Sequence, residues 1–183
     1  MATPIRNDGA AVVAAARDLE PSSTDAGRSS AADLASLITR EARSWLGTRF
    51  LHGAAVKGAG VDCVQHPRAV YCAVGLLPPD FPDQLPYPEG WYIEGGEARY
   101  DTALAEFFEC RWRAGDGPLP AIGPGWLARF RVGRMGVHGG IVTVWPRVVH
   151  ANAEIGEVVE GDATTNWLGR HKLMSLWRPR GLG

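Results

Sequence analysis

The hydrophobic pattern of the chain changes its period once, and this change constrains the possible folds more than any other feature. Before about residue 115 the apolar side chains recur at the spacing of amphipathic helices. From Trp126 onward apolar residues alternate with others, and such runs continue at 139–145, 147–151, 157–160 and 173–178. Helices followed by strands predict an α+β domain, with N-terminal helices packed on a C-terminal antiparallel sheet.

Three helices are predicted in the first part of the chain. They run from a capping box at Ser30 and Asp33 to Gly47, from Asp62–Cys63 to Gly75, and through Tyr100–Phe108 to about Gly115. Five prolines at 78–88 predict a stiff extended loop between the second and the third helix.

The first 31 residues differ in composition from the rest. They are rich in Ala, Ser, Thr, Asp and Gly, and they offer little apolar surface to offset the entropy of ordering. We therefore predict a disordered N-terminal arm over 1–31 and one folded domain over 32–183. The apolar run Ala10–Ala16 is too short to span a bilayer, so neither a signal peptide nor a transmembrane helix is predicted.

The net charge and the cysteine content limit the partners and the redox environment that can be expected. The 19 basic and 20 acidic residues give a formal net charge of -1, which leaves no basic surplus for nucleic-acid phosphates. The three cysteines form no CxxC pair and leave one thiol unpaired in any disulfide scheme. Nucleic acid is therefore not an expected partner, and a reducing compartment or a reactive thiol is expected.

Cys63 is the candidate nucleophile. It lies between a glycine-rich stretch and the start of the second helix. There the helix dipole favours an anion, so we expect a thiol pKa below the free value of about 8.5. The alternative is that Cys63 is a small buried side chain, as Cys72 and Cys110 are expected to be.

His138 and His150 could supply a base and its orienting partner. A hairpin loop at 144–146 would pair 143 with 147 and 140 with 150, which places both imidazoles on one face. One imidazole could then take the thiol proton while the other orients it. The same spacing also fits two unrelated histidines at strand ends.

The other histidines offer competing assignments. His66 follows Cys63 by three residues on one helix and could contact it. Bases usually arrive from another element, so His66 ranks below His138, while His52 and His171 lie in predicted loops. A zinc site formed by Cys63 and the two strand histidines is formally possible, but the cysteine spacing does not support it. No metal or cofactor is predicted.

Several short segments together resemble one protein family. They are Trp45-Leu46-Gly47-Thr48, Gly60-Val61-Asp62-Cys63, Ala69-Val70-Tyr71, Val74-Gly75-Leu76, His138-Gly139-Gly140-Ile141-Val142, Val149-His150-Ala151 and Trp177-Arg178-Pro179. This set resembles the NlpC family of bacterial cell-wall cysteine peptidases, especially its phage-tail and gene-transfer-agent branch. The resemblance covers about 33–181, and its most specific part is Asp-Cys before a helix, then His, then His twelve residues later.

The resemblance implies a papain-like fold with Cys63 as nucleophile, His138 as general base and His150 as the residue that orients it. It implies a cysteine endopeptidase or amidase that cuts peptidoglycan stem peptides next to D-glutamate, with Asp62 helping to bind the free amine of the stem. It also implies tail-hub or baseplate partners in a phage-like tail or gene transfer agent. Synthesis in the cytoplasm and export inside a virion agree with the lack of a predicted signal peptide.

The sequence departs from the family pattern at Arg49, Phe50, Val64, His66-Pro67 and Trp126. The departures at Phe50, Val64 and Pro67 favour a first alternative, a structural tail-hub subunit with vestigial activity. A second alternative is a cysteine-dependent acyltransferase or amidase that acts on another substrate.

Overall fold

The computed structural model describes residues 23–81, 96–132, 136–169 and 171–182. The helices are α1 (Ser23–Arg43), α2 (Gln65–Ala73), α3 (Gly96–Phe107) and α4 (Asn166–Gly169). The strands are β1 (Ala55–Val56), β2 (Gly60–Val61), β3 (Phe108–Arg113), β4 (Leu127–Val132), β5 (Gly136–Val144), β6 (Arg147–Asn152), β7 (Glu157–Asp162) and β8 (Lys172–Pro179). A short 3-10 turn at Arg180–Leu182 follows β8.

Six strands form one antiparallel sheet in the order β3-β8-β4-β5-β6-β7, and β1 pairs with β2 in a separate small sheet. Helices dominate the first part of the described chain and strands the second. The predicted α+β class, with N-terminal helices on a C-terminal antiparallel sheet, is therefore confirmed.

The alternation of side chains along the strands gives the sheet two buried faces. One face packs against α1 and α2, where Leu127, Ile141 and Val149 join Ile38 and Tyr71 in a single core. The other face forms a second core that includes Ala128, Phe130, Val142, Val148 and Leu168 of α4. Odd-numbered residues of β4 and β5 thus face α2, and even-numbered ones face α4.

The predicted register of the β5–β6 hairpin is confirmed. Ile141 lies opposite Val149 and Val142 opposite Val148, which is the pairing expected from a loop at 144–146. The turn is tighter than predicted, because Val144 pairs with Arg147 after a bulge and a cis Trp145–Pro146 peptide closes it.

Two helix boundaries were predicted wrongly. The third helix ends at Phe107 and not near Gly115, because 108–113 pairs with β8 as an edge strand. The first helix begins at Ser23 and not at the Ser30 box, since alanines favour the helix. Residues 1–22 of the predicted arm, and 82–88 of the proline-rich loop, lie outside the described residues. In the part of the chain that is described, no helix is long and apolar enough to cross a membrane.

Candidate active site

Asp62 holds the turn that carries Cys63. One carboxylate oxygen accepts from the N–H groups of Val64 at 3.0 Å and Gln65 at 2.8 Å, as a helix-capping side chain does. The other oxygen accepts from the N–H of Gly53 at 2.7 Å. Asp62 is only 2% exposed, so its carboxylate is directed into the protein and fixes the approach to α2.

Cys63 directs its sulfur at the backbone of β5. The Sγ atom lies 3.9 Å from the carbonyl oxygen of Val137, and the N–H of Gly139 also faces the sulfur. These two groups flank His138 in the chain. The sulfur of the candidate nucleophile therefore contacts the main chain of β5 on both sides of the candidate base.

The hydrogen-bond pattern of the sheet explains why β5 is open at this point. The N–H of Val142 donates to the Trp126 carbonyl and its C=O accepts from the Gly125 N–H, just before β4, so the N–H and C=O groups of the odd-numbered residues Val137 and Gly139 point toward β6. The ladder between β5 and β6 runs from Ile141 to Val144. The Cys63 sulfur thus occupies the edge of β5 beyond the paired region.

The two strand histidines are in direct contact. His138 Nε2 lies 2.9 Å from His150 Nδ1, and the rings are nearly perpendicular with centroids 4.9 Å apart. Both residues are buried. The predicted contact across the hairpin is confirmed, and it engages the ring nitrogen of His138 that lies farther from the main chain.

The thiol and the imidazole are neighbours but are not hydrogen-bonded among the described residues. The Cys63 thiol donates to the Val137 carbonyl and not to His138. His138 lies opposite Phe130, on the α4 face, whereas Cys63 approaches β5 from the α2 face. Proton transfer between the two side chains requires the Cys63 side chain to rotate past the edge of β5 that is not paired with β6.

Burial keeps the nucleophile candidate protonated. Desolvation first, and then the Asp62 carboxylate, raise the pKa of Cys63 to about 12, although the N–H groups of Cys63 and Gly139 lower it. The expectation of a depressed thiol pKa is therefore wrong. The physical reasons are, first, the desolvation of the thiol and, second, that Asp62 already binds the first N–H groups of α2 and places a negative charge where the dipole would favour a thiolate.

Burial also keeps both strand histidines neutral. The pKa of His138 is lowered well below 6.5, first by desolvation and then by His150. Desolvation first, and then His66, lower the pKa of His150 to about 4. The resting site therefore holds a neutral thiol beside a neutral imidazole, and not a thiolate–imidazolium pair.

His66 packs in the core between α1 and α2. Its ring meets Trp45 edge to face, with centroids 5.9 Å apart, and the residue is 0% exposed. Within the described structure neither ring nitrogen makes a hydrogen bond of good geometry, although the Ala42 carbonyl lies close by. Desolvation lowers the pKa of His66 to about 4, although the Ala42 carbonyl opposes this shift.

We expect His66→Leu to make the protein less sensitive to acid. Unfolded histidine binds a proton below a pH of about 6.5, but folded His66 does so only below about 4, so stability is lost as pH falls through that window. The His66 contribution to this loss approaches about 3 kcal/mol. Urea unfolding at pH 7 and pH 4.5 measures it. An equal loss in the wild type and the variant would contradict the buried neutral state.

A narrow cleft opens at the Cys63 sulfur, with a volume of about 20 Å³. It is lined by Cys63, Val64, Pro67, Leu127, Arg129, Val137 and Gly139. Sequence reasoning missed two of these as functional residues, Arg129 and Gly139. For Gly139 a signal was present, because glycine inside a strand pattern marks a close backbone approach.

Gly139 makes room for the turn that carries the nucleophile. A Cβ atom at Gly139 would lie 3.0 Å from the Cys63 carbonyl oxygen and 3.2 Å from Cγ of Pro67. We expect Gly139→Ala to displace this turn and to lower kcat/KM about tenfold or more, because small misplacements of reacting groups are costly. Gly181→Ala, where the new methyl meets only the flexible ends of Leu34 and Leu76, is the matched control. Full activity in a stable Gly139→Ala variant would show that the close approach is not needed.

Two further histidines, His52 and His171, lie near the site, and His171 is close enough to the two strand histidines to lower the pKa of both, in addition to the effect of burial. His52 Nδ1 is 3.5 Å from Asp62, and the His171 N–H donates to the Leu168 carbonyl at the end of α4. Within the described residues no three His, Cys, Asp or Glu side chains converge as metal ligands.

Comparison with solved structures identifies the fold. NlpC1 and NlpC2 from Trichomonas vaginalis each superpose with a TM-score of 0.53 and 13% identity, over 79% of this chain and 44% and 47% of theirs. An NLP/P60-family protein from Staphylococcus aureus, described as similar to lipoprotein, superposes with a TM-score of 0.50 and 17% identity, over 80% of this chain and 41% of its own. The chain therefore spans less than half the length of these proteins. No protein-family model and no curated protein matches the sequence. The predicted papain-like NlpC-type fold is confirmed.

Proposed function

We propose that this chain is a cysteine peptidase or amidase that cleaves peptidoglycan stem peptides next to D-glutamate. The contact between His138 Nε2 and His150 Nδ1, at the point of β5 where the Cys63 sulfur meets the main chain, is the observation that carries the proposal. The NlpC/P60 fold supports it, because proteins of that name share this architecture. Asp62 is proposed to help bind the free amine of the stem, which would require the amine to reach a carboxylate that is 2% exposed in the resting site.

The contact between the histidines defines the tautomer that a base requires. If His138 Nε2–H donates to His150 Nδ1, then His138 Nδ1 is unprotonated and can accept the thiol proton. His150 then holds the imidazole in this orientation, as the third member of a catalytic triad does. A buried, neutral His138 is in the protonation state that this role needs.

The reaction is an acyl transfer to sulfur. The Cys63 thiol turns from the Val137 carbonyl to His138, which takes its proton as the sulfur attacks the amide carbon. The Cys63 N–H helps to hold the oxyanion, and His138 returns the proton to the leaving amine. A water molecule, deprotonated by His138, then hydrolyses the thioester and releases the acid.

Digestion of purified muropeptides followed by mass spectrometry tests this proposal. The expected products are stem fragments that end at D-glutamate, with a new amine on the next residue. One observation favours the alternative of a structural subunit with vestigial activity, which is that the resting thiol bonds to Val137 and not to His138. Intact muropeptides after prolonged incubation with folded protein would support that alternative.

We further propose that the chain works as part of a phage-like tail or gene transfer agent, with tail-hub or baseplate proteins as partners. This proposal rests on the resemblance of the segments around Cys63 and His138. Mass spectrometry of purified particles from cells that encode the chain should detect it in constant proportion to tail proteins. Its absence from particles, in cells that contain it, would contradict the tail role and leave the peptidase proposal intact.

A further inference from the structure

Arg129 is the charged residue among the seven that line the Cys63 cleft. It is only 3% exposed. Its guanidinium donates to Asp101 of α3, which also accepts from Arg113 at 3.1 Å. A buried ion pair adds little net stability, because the loss of hydration offsets the attraction. Stability alone therefore does not explain a buried cation in this cleft.

The sheet register places Arg129 near the reacting group. Arg129 lies opposite Gly139 in the β4–β5 ladder, where strands are about 4.8 Å apart, and the Gly139 N–H faces the Cys63 sulfur. Directly opposed residues project to the same face of a sheet. Arg129 thus projects to the face where Gly139 meets α2 and borders the cleft from the sheet side.

The rest of the lining defines what could reach this cation. Apart from Arg129, the cleft wall consists of the sulfur, the Gly139 backbone and the apolar side chains of Val64, Pro67, Leu127 and Val137. An acyl group bound to the sulfur would first meet apolar surface and then the buried ion pair of Arg129 with Asp101. A short aliphatic chain that carries a carboxylate has this pattern.

We propose that Arg129 is a specificity-determining residue that recognises a free carboxylate on the acyl-side residue of the substrate. The inference rests on the proposed function and adds to it. A D-glutamyl residue joined through its side-chain carboxyl keeps its main-chain carboxylate, and its two methylene groups would lie on the apolar wall. Guanidinium binds carboxylate through charge-assisted hydrogen bonds.

Two small alkylating reagents test Arg129 without any need for peptidase activity. Bromoacetyl-glycine and bromoacetyl-glycinamide both react with the Cys63 thiolate: a carbon–sulfur bond forms, bromide leaves, and buffer takes the thiol proton. The reagents differ only in a terminal carboxylate or amide, so the high pKa of Cys63 cancels from the ratio of their rates. The measured quantity is the alkylation rate with bromoacetyl-glycine divided by the rate with bromoacetyl-glycinamide. We expect this ratio to be about fivefold or more higher for Cys63 than for 2-mercaptoethanol.

Variants assign this preference to one arginine. Arg129→Gln should abolish it, whereas Arg113→Gln, which removes the other arginine on Asp101, should keep it. Because Arg129→Gln leaves Asp101 without its buried partner, the double variant with Asp101→Asn is measured as well. A wild-type ratio equal to that of 2-mercaptoethanol, or a preference that survives in a folded Arg129 variant, would overturn the proposal.

Muropeptides that differ only in amidation of the D-glutamate carboxylate complete the test. We expect the wild type to cleave the free acid with a kcat/KM about tenfold or more above that of the amide, mainly through KM, and Arg129→Gln to cleave both alike. If the acid reagent is preferred but no muropeptide is cleaved, the proposed carboxylate site at Arg129 stands and the proposed peptidase activity is rejected. Equal cleavage of both forms by the wild type would retain the peptidase and reject Arg129 as its specificity determinant.

Discussion

Cys63→Ala is expected to abolish the cleavage of stem peptides, with a fall in kcat/KM of about 10⁴-fold or more, because the sulfur itself forms the acyl bond. Cys63→Ser should lose nearly as much, since a hydroxyl is a weaker nucleophile beside the same base. The turn around position 63 is held by the Asp62 carboxylate, so both variants should fold. Muropeptide digestion measures the loss, and thermal unfolding by circular dichroism checks the fold.

Cys72→Ala is the matched control for this prediction. Cys72 lies near the other end of α2, with its sulfur 3.3 Å from the Pro78 carbonyl oxygen, far along the helix from the cleft. We expect this variant to keep wild-type activity. Cleavage by Cys63→Ala at the wild-type rate would reject Cys63 as the nucleophile.

The fold could be predicted from the sequence where the local hydrophobic pattern matches the set of side chains that the core buries. Period-two alternation and the proline at position 146 were enough to predict the β5–β6 register and, through it, the contact of His138 with His150. Side chains two residues apart on a strand share a face whatever the rest of the chain does. This part of the candidate site is therefore set by short-range geometry.

Other features depend on partners that are distant in the chain. The region after Phe107 fits a helix by its spacing, but pairing with β8 makes it a strand. The burial of Arg129 depends on Asp101, which lies 28 residues away. The pKa of Cys63 departs from the helix-dipole expectation because burial and Asp62 outweigh the dipole. Tertiary contacts decide these cases, and single-sequence patterns do not report them.

His138→Ala is expected to lower kcat/KM by about 10³-fold or more, because it removes the proton acceptor of the thiol. His150→Ala should cost less, about 10- to 100-fold, since it removes a positioning contact and leaves the base in place. His150→Asn keeps a carbonyl that can accept from His138 and should recover part of the loss. His66→Leu should stay within about threefold of the wild type, because the ring is buried in the core away from the cleft.

The pH profile distinguishes a positioning role of His150 from a merely structural one. The base must be neutral, and the pKa of His138 is lowered well below 6.5 by burial and then by His150. The wild-type kcat/KM should therefore stay level as pH falls through 6.5 and decline only at more acidic pH. In His150→Ala the second-largest of these causes is absent, so the acid limb should move toward higher pH. A wild-type limb at or above pH 6.5, or an unchanged limb in a folded His150→Ala variant, would contradict the neutral histidine pair as the base of this site.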